Sequence, residues 1–366
     1  MRFISRREFV GISASALAMA RMRVLAQAVE MQSPLRFAAV GLGTISNIFM
    51  RGCAASQSAK VTGLVTGHPD TKGQRYGQMY AVPQRSVYTY ETFDRIRDNK
   101  DIEAVYIGLP NSMHCEFTVR AAQAGKHVLC EKPMAISSAE CRRMIDACKS
   151  AGVKLMIAYR VHYDPTHLQA KQLIQSGSIG EIQAFEGSFG FNATPNQWRL
   201  VRKLAGGGSL MDVGIYPLNE SRWLTGEEPV SFTAMPTTRD KTSGRFAEME
   251  QTLDFTLKFP SGIVGAFACT YGSDMPGFLR IHGERGTLEL SPAYNYTGTH
   301  LLSIGGRQGV DMLSRESDSS YQFRLEAEHF AHCVRTGTDP TTPGEEGLKD
   351  ILAIEAIYRV AGIPIA

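Results

Sequence analysis

From Leu35 to Tyr159 the chain alternates short apolar, β-branched runs with helix-compatible stretches. Leu35 to Val40, Lys60 to Thr66, Ile102 to Leu109, His127 to Cys130 and Lys154 to Tyr159 are predominantly apolar, as strands covered by helices on both faces are. Helical stretches open after Gly43, run from Glu116 to Ala124, and run from a capping Ser137 to Ser150. This alternation predicts a doubly wound α/β domain of the Rossmann, dinucleotide-binding kind over residues 34–158. Beyond Ala158 the pattern changes. A helix over Leu168 to Ser176 is followed by strand-like Gln183 to Gly190, Glu250 to Phe259, Ile263 to Tyr271, Phe278 to His282 and Thr287 to Leu290. Many alternate in polarity, and turns such as Pro260-Ser261-Gly262 join neighbours. Strands without intervening helices predict an α+β domain over residues 159–345, on an open, mostly antiparallel sheet with one face against helices. Gly347 to Gly362, in the final segment 346–366, reads as an amphipathic helix.

The 366 residues suit two domains with sizeable cores, and 43% hydrophobic with 20% charged residues is ordinary for a globular protein. A net charge of +3 from 39 basic and 36 acidic residues gives no ground for a nucleic-acid partner or an anionic membrane surface. Seven cysteines, an odd number without repeating spacing, argue against a disulfide framework and show no zinc-like pairing, so no metal site is expected. The first 28 residues read as an address. Arg6-Arg7 precede the small-residue apolar run Gly11 to Ala20, too short to span a bilayer, and Ala26-Gln27-Ala28 is a cleavage candidate. The pattern resembles a twin-arginine signal, implying the twin-arginine translocation machinery as partner, export in the folded state and a periplasmic protein free of the membrane.

The first strand runs into Gly41-Leu42-Gly43-Thr44-Ile45-Ser46, the strand, glycine turn and helix order that receives a pyrophosphate on backbone amides. Gly41, Gly43, Thr44 and Ile45 are therefore cofactor candidates, with Ser46 in place of a third glycine. Where an NAD enzyme carries a strand-end acid for the ribose 2′-hydroxyl, this chain has Thr66, Gly67 and His68, with Lys72 and Arg75 within reach. That favours NADP, unless Asp70 folds back onto the ribose. Asn111 and His114 follow the next strand and face the cofactor cleft, or else only cap and pack the helix after it; Ser112 is a candidate cap. Glu131-Lys132-Pro133 ends the fourth long strand, at the edge where open α/β sheets bind ligands, and the proline turn aims Lys132 at a ligand or merely ends the strand.

A second cluster lies in the later half: Gln197-Trp198-Arg199-Leu200, then Gly206-Gly207-Gly208 and Asp212 to Tyr216. Asp212 and Tyr216, four apart, share one face of a helix. A carboxylate and a phenol near a lysine suit proton transfer with a hydroxyl that is losing hydride, Lys132 lowering the tyrosine pKa and Asp212 orienting the substrate. The structural alternative is that Asp212 caps a helix and Tyr216 packs in a core.

Taken in order, the glycine opening, Asn111-Ser112-Met113-His114, Cys130-Glu131-Lys132-Pro133-Met134 and Tyr159-Arg160-Val161-His162-Tyr163-Asp164-Pro165 resemble the glucose-fructose oxidoreductase, inositol dehydrogenase and rhizopine-catabolism (Gfo/Idh/MocA) family over essentially the whole mature chain. Tyrosine at 216, where most members are taken to carry histidine, and Gln197 to Leu200 point to the glucose-fructose oxidoreductase branch. The resemblance implies Lys132, Asp212 and Tyr216 as catalytic residues, with Glu131, Trp198 and Arg199 beside the cofactor and Arg160 and Tyr163 lining the cofactor and sugar pocket. It further implies an NADP-dependent oxidoreductase that moves hydride between the nicotinamide and C1 of an aldose, resident NADP coupling oxidation of one sugar to reduction of another. A homo-oligomer through the open sheet goes with it. The alternatives are an exported NAD-dependent glycosidase of the same fold and a non-catalytic sugar- or nucleotide-binding protein.

Overall fold

The computed structural model describes residues 33–307 and 309–365. The expected export segment 1–28 lies outside the described residues. β1 (Leu35–Val40) passes through the glycine turn into α1 (Thr44–Ala54). Then come β2 (Ala59–Val65), α2 (Gln74–Met79), β3 (Val87–Tyr88), β4 (Ala104–Ile107), α3 (His114–Gln123), β5 (His127–Glu131), α4 (Ser138–Ser150) and β6 (Leu155–Ala158). These six strands pair in parallel in the order β3-β2-β1-β4-β5-β6. The direction of winding reverses between β1 and β4, so the crevice beyond their carboxyl ends is the ligand position of such a sheet.

Local chemistry sets most of these boundaries. Ser137 caps α4, its hydroxyl accepting from the Glu140 N–H at 3.4 Å, a start legible in Ser-x-x-Glu. Ser112 does not cap α3; the chain enters that helix through a 3-10 turn over Asn111–Met113 with no side-chain cap.

The second half builds α5 (Pro165–Gln175), β7 (Ile182–Gly190), α6 (Arg202–Ala205), α7 (Ile215–Thr225), β8 (Ser231–Thr237), β9 (Thr252–Lys258), β10 (Val264–Thr270), β11 (Phe278–Gly283), β12 (Gly286–Leu290), β13 (His300–Gly305) and β14 (Asp311–Leu313). After them come α8 (Tyr321–Thr336) and α9 (Gly344–Val360). The sheet runs β14-β13-β12-β11-β7-β10-β9-β8, antiparallel except where β7 meets β10. Phe185, Phe255, Phe267, Leu279 and Ile281 turn inward to the core, while Thr233 and Thr256 face outward and share a 2.7 Å hydrogen bond. The fold is thus α/β plus α+β, as expected.

One boundary differs. α8 falls inside the stretch expected as a single substrate domain, yet Phe323, Ala327, Phe330 and Ala331 pack with Phe37 and Phe49 against the first sheet. Only a glycine at position 52 lets α1 approach α8 this closely; an added Cβ would lie 2.8 Å from the Arg324 backbone nitrogen. The chain returns to cover the first sheet because that face would otherwise leave β1 and α1 side chains in water. All seven cysteines are buried and free.

Candidate active site

The glycine turn has the properties of a phosphate cradle. Gly41 adopts φ +84°, and a Cβ there would lie 2.7 Å from the Gly108 carbonyl oxygen. Gly43 begins α1 without a side-chain cap, no acidic residue occupies the first turn, and a Cβ on it would meet nothing within 4 Å. The first amides of α1 are therefore approachable by an anion. Ser46, in the third-glycine position, is fully buried; Gly108 accommodates it, since a Cβ at 108 would be 2.4 Å from the Ser46 hydroxyl. The absent third glycine is compensated on the neighbouring strand.

A cleft of about 270 Å³ lies beyond this turn, bordered by Thr44, Ile45, Asn111, Glu131 and Lys132 on one side. Arg160, Trp198, Arg199, Asp212 and Tyr216 border it on the other, with Phe189, Phe191, Tyr294 and Tyr296 as aromatic wall. Residues from both halves of the chain thus converge on one cavity.

Lys132 follows β5 at a cis Lys132–Pro133 peptide. Its ammonium donates to Asp212 Oδ1 at 3.0 Å and to the Asp212 carbonyl at 2.7 Å, and lies 4.6 Å from the centre of the Tyr216 ring. Burial pushes the Lys132 pKa down, but Tyr216, Asp212 and Glu131 outweigh it and hold it above the ordinary lysine value. Burial alone would raise the Asp212 pKa; Lys132 and Arg199, with their hydrogen bonds, hold it far below the carboxylate range instead. This pair is an ammonium and a carboxylate across the physiological range, so Lys132 acts as a fixed charge and donor.

Asp212 was expected to hold the substrate, but its acceptor sites are largely taken. Besides Lys132 it accepts from Arg199 Nε at 2.9 Å and the Tyr271 hydroxyl at 3.0 Å, both on Oδ2. It therefore fixes Lys132 and Arg199 first. The expected single helical face also differs: Asp212 sits in a π-helical turn over Leu210–Gly214 and Tyr216 in the first turn of α7. Both still line the cleft.

Tyr216 Oη accepts from Arg160 Nε at 3.1 Å. Because that donor occupies an acceptor position on the oxygen, the phenol's own proton is free to point elsewhere. Arg160 is almost fully buried, its other nitrogens donating to Gln322 Oε1 at 2.6 Å and the Tyr294 carbonyl at 2.6 Å.

Several sequence-predicted residues have other duties. His114 borders the cleft, but it is buried and spans the Pro133 and Leu109 carbonyls at 2.9 Å each, bracing the lysine turn. Asn111 also borders it, and donates to the Ala205 carbonyl at 2.9 Å. Glu131 accepts from the Tyr106 hydroxyl at 2.5 Å; burial raises its pKa against the pull of Tyr106 and Lys132. Thr66 is not open to a ribose: it is buried and its hydroxyl accepts from the His68 N–H at 3.1 Å. Gly67, His68 and Lys72 remain exposed past the end of β2. Tyr163 does not line the cleft; its hydroxyl meets Thr341 Oγ1 at 3.2 Å and its ring packs beside His329. The sequence reading missed Tyr271, Tyr294, Tyr296 and Gln322. The only local signal was the doubled tyrosine of Tyr294-Asn295-Tyr296 in a loop of turn-forming residues.

Two family profiles match the chain: "Oxidoreductase family, NAD-binding Rossmann fold" over residues 35–159 and "GFO/IDH/MocA C-terminal domain" over residues 167–289. A D-xylose 1-dehydrogenase [NADP(+)] of Haloarcula marismortui is 31% identical, covering 90% of this chain and 91% of the relative. Among solved structures, the aldose-aldose oxidoreductase of Caulobacter crescentus, complexed with glycerol, is 42% identical with a TM-score of 0.85, covering 90% of this chain and 98% of that one. An inositol dehydrogenase homologue of Azotobacter vinelandii, 19% identical with a TM-score of 0.79, shares the fold, covering 91% of this chain and 97% of that one.

Proposed function

The chain belongs to the GFO/IDH/MocA oxidoreductase family, and from that premise we propose that it is an NADP-dependent aldose oxidoreductase acting at C1. The observation that carries this is the setting of Tyr216: a phenol whose oxygen accepts from Arg160 at 3.1 Å, whose ring lies 4.6 Å from the Lys132 ammonium, and which borders the same cleft as the glycine turn. The named activities of the two relatives, a D-xylose 1-dehydrogenase and an aldose-aldose oxidoreductase, support the substrate class.

The uncapped start of α1 and the open face of Gly43 fit a pyrophosphate. His68 and Lys72, exposed past β2, suit a 2′-phosphate better than a strand-end carboxylate would. Bound nicotinamide supplies the hydride acceptor or donor. The protein's part is the proton and the positioning. When the C1 hydroxyl is oxidised, its carbon gives up a hydride and its oxygen a proton; Tyr216, as the phenolate, takes that proton, and as the phenol returns one to the carbonyl oxygen in the reverse direction. Lys132 stabilises the negative charge that grows on the phenol oxygen. Asp212 and Arg199 keep Lys132 in place, and the aromatic wall offers apolar faces to the sugar ring while excluding water.

The reading extends to one sugar being oxidised to its lactone and a second reduced to an alditol without release of the nucleotide, supported by the aldose-aldose activity named for the Caulobacter crescentus relative. Near-stoichiometric NADP released on denaturing freshly purified protein supports this coupling; an empty protein sinks it and leaves a dehydrogenase that exchanges its cofactor. Tyr216→Phe is expected to lose hydride transfer by about 100-fold or more while still binding nucleotide, general acid–base groups contributing on that order. Retained turnover removes Tyr216 from its role. The reading extends to export through the twin-arginine route, supported by Arg6-Arg7 and the apolar run after them. Self-association is supported by Met235, Val264 and Ile304, exposed on the open sheet face.

A further inference from the structure

Arg160 is a buried guanidinium with no carboxylate bonded to it among the described residues. Its partners are the Tyr216 phenol, the Gln322 side-chain carbonyl and the backbone carbonyls of Tyr294 and, at 3.3 Å, Asn295. The buried carboxyl groups of Glu131 and Glu326 act on it through space, and the carboxylate reached through a hydrogen bond lies one residue further out. Asp164, fully buried at the start of α5, accepts from Gln322 Nε2 at 2.8 Å on Oδ2. Its remaining acceptor sites are filled by the Thr166 amide and hydroxyl, Thr299 and Tyr321, and burial is outweighed by His167 and these donors, so its pKa lies below the ordinary value.

Gln322 therefore bridges an anion and a cation through one amide. Its orientation is forced: turned over, it would set its NH2 against the guanidinium and its carbonyl oxygen against a carboxylate. It sits in the first turn of α8, the helix that closes over the nucleotide sheet, and is fully buried. The chain Asp164, Gln322, Arg160, Tyr216 is continuous, at 2.8, 2.6 and 3.1 Å.

We propose that Gln322 is a positioning residue for the reaction: its amide carbonyl fixes the Arg160 guanidinium on the Tyr216 oxygen and so sets the direction in which the phenol proton points. This rests on Tyr216 as the acid/base. Gln322 touches neither the cleft nor a reacting atom; it works through Arg160. Without the bridge, Arg160 keeps its backbone partners but loses the contact that sets the tilt of its plane toward Tyr216.

The test compares Gln322→Met, which keeps length and loses both hydrogen bonds, with Gln322→Glu. Beside Asp164 the two carboxyl groups share one proton, so a protonated glutamate donates its O–H to Asp164 and offers its C=O to Arg160, restoring the pattern. Two readouts are taken on the mature protein: the ¹³Cζ resonance of Tyr216, assigned by its loss in Tyr216→Phe, and steady-state kinetics with an aldose and NADP. Gln322→Met is expected to displace the resonance and lower kcat by about 10- to 100-fold, the sugar KM staying within about twofold; Gln322→Glu at neutral pH matches the wild-type protein in both. An undisplaced resonance in Gln322→Met, or equal damage in both variants, overturns the inference. If the methionine variant does not fold, Gln322→Glu decides: a wild-type resonance supports the bridge and a displaced one overturns it. A wild-type protein that transfers no hydride, with resonances following the expected pattern, would sink the proposed function and leave only the bridge from Gln322 through Arg160 to the Tyr216 oxygen standing.

Discussion

Replacing Lys132 by methionine removes a charge and keeps most of the volume, so its effect reads the electrostatics of the cleft. The ammonium lies 4.6 Å from the centre of the Tyr216 ring. At an effective dielectric constant of about 20, a full charge developing at that separation gains roughly 3 to 4 kcal/mol. Asp212, bonded to the same ammonium at 3.0 Å, offsets part of that field, leaving about 2 to 3 kcal/mol for the transition state. In rate this is a loss of about 30- to 150-fold in kcat. The variant should still fold, because Asp212 keeps Arg199 and the Tyr271 hydroxyl as partners instead of becoming an isolated buried charge. The assay is single-turnover reduction of an aldose by NADPH, the direction in which the phenol gives up its proton and the charge develops, followed by nicotinamide absorbance, with nucleotide affinity measured separately by calorimetry. A Lys132→Met enzyme whose hydride step stays within about threefold of wild type, with normal nucleotide binding, refutes the charge-stabilisation argument.

Other consequences follow from groups around the cleft. His167 and Glu220 are both fully buried and 2.5 Å apart, and although burial pulls the His167 pKa down, Glu220 raises it to about 9 from 6.5. A raised value means stability fully present below the unfolded pKa of about 6.5 and lost as pH climbs through about 9, on the order of 3 kcal/mol. The stability gap between wild type and His167→Gln in urea unfolding should therefore shrink between pH 6.5 and 9.5; a constant gap speaks against the ion pair. Placing carboxylates past β2, with His68→Glu and Lys72→Glu together, is expected to weaken NADP binding by about tenfold or more while sparing NAD, by calorimetry. Equal losses for both nucleotides would remove these residues from 2′-phosphate recognition. Converting Arg6 and Arg7 to lysine should retain the protein in the cytoplasm of its host in a fractionation assay, and unchanged export would exclude the twin-arginine route.

The nucleotide domain was legible because its strands are buried on both faces and so stand out as unbroken apolar runs, as β4 and β6 do. Lys132, Asp212, Tyr216, Trp198 and Arg199 were legible because each sits next to a backbone feature with its own signature, a strand-ending proline or a glycine run. β8, exposed at every second residue and holding Pro236, lacked that contrast, and β14 spans only Asp311–Leu313. α8 was missed because its apolar stripe packs on a sheet some 280 residues earlier in sequence, a contact no local window holds. The same distance hid Gln322: its partners Asp164 and Arg160 lie 158 and 162 residues away. Tyr163 was misplaced because neighbours in a motif need not face one cavity; a 3-10 turn over Arg160–Tyr163 directs Arg160 into the cleft and leaves Tyr163 packed beside His329.

The central claim is that hydride passes between C1 of an aldose and a nicotinamide held in this cleft. The most direct measurement incubates the purified protein with NADP and an aldose deuterated at C1, then determines deuterium in the recovered nucleotide by mass spectrometry. The account predicts one deuterium in the reduced nucleotide, or, if the nucleotide stays bound and a second sugar is present, one deuterium at C1 of the alditol formed from it. Sugar turnover with the C1 label retained in the oxidised sugar or lost to solvent, and none in nucleotide or alditol, would contradict it.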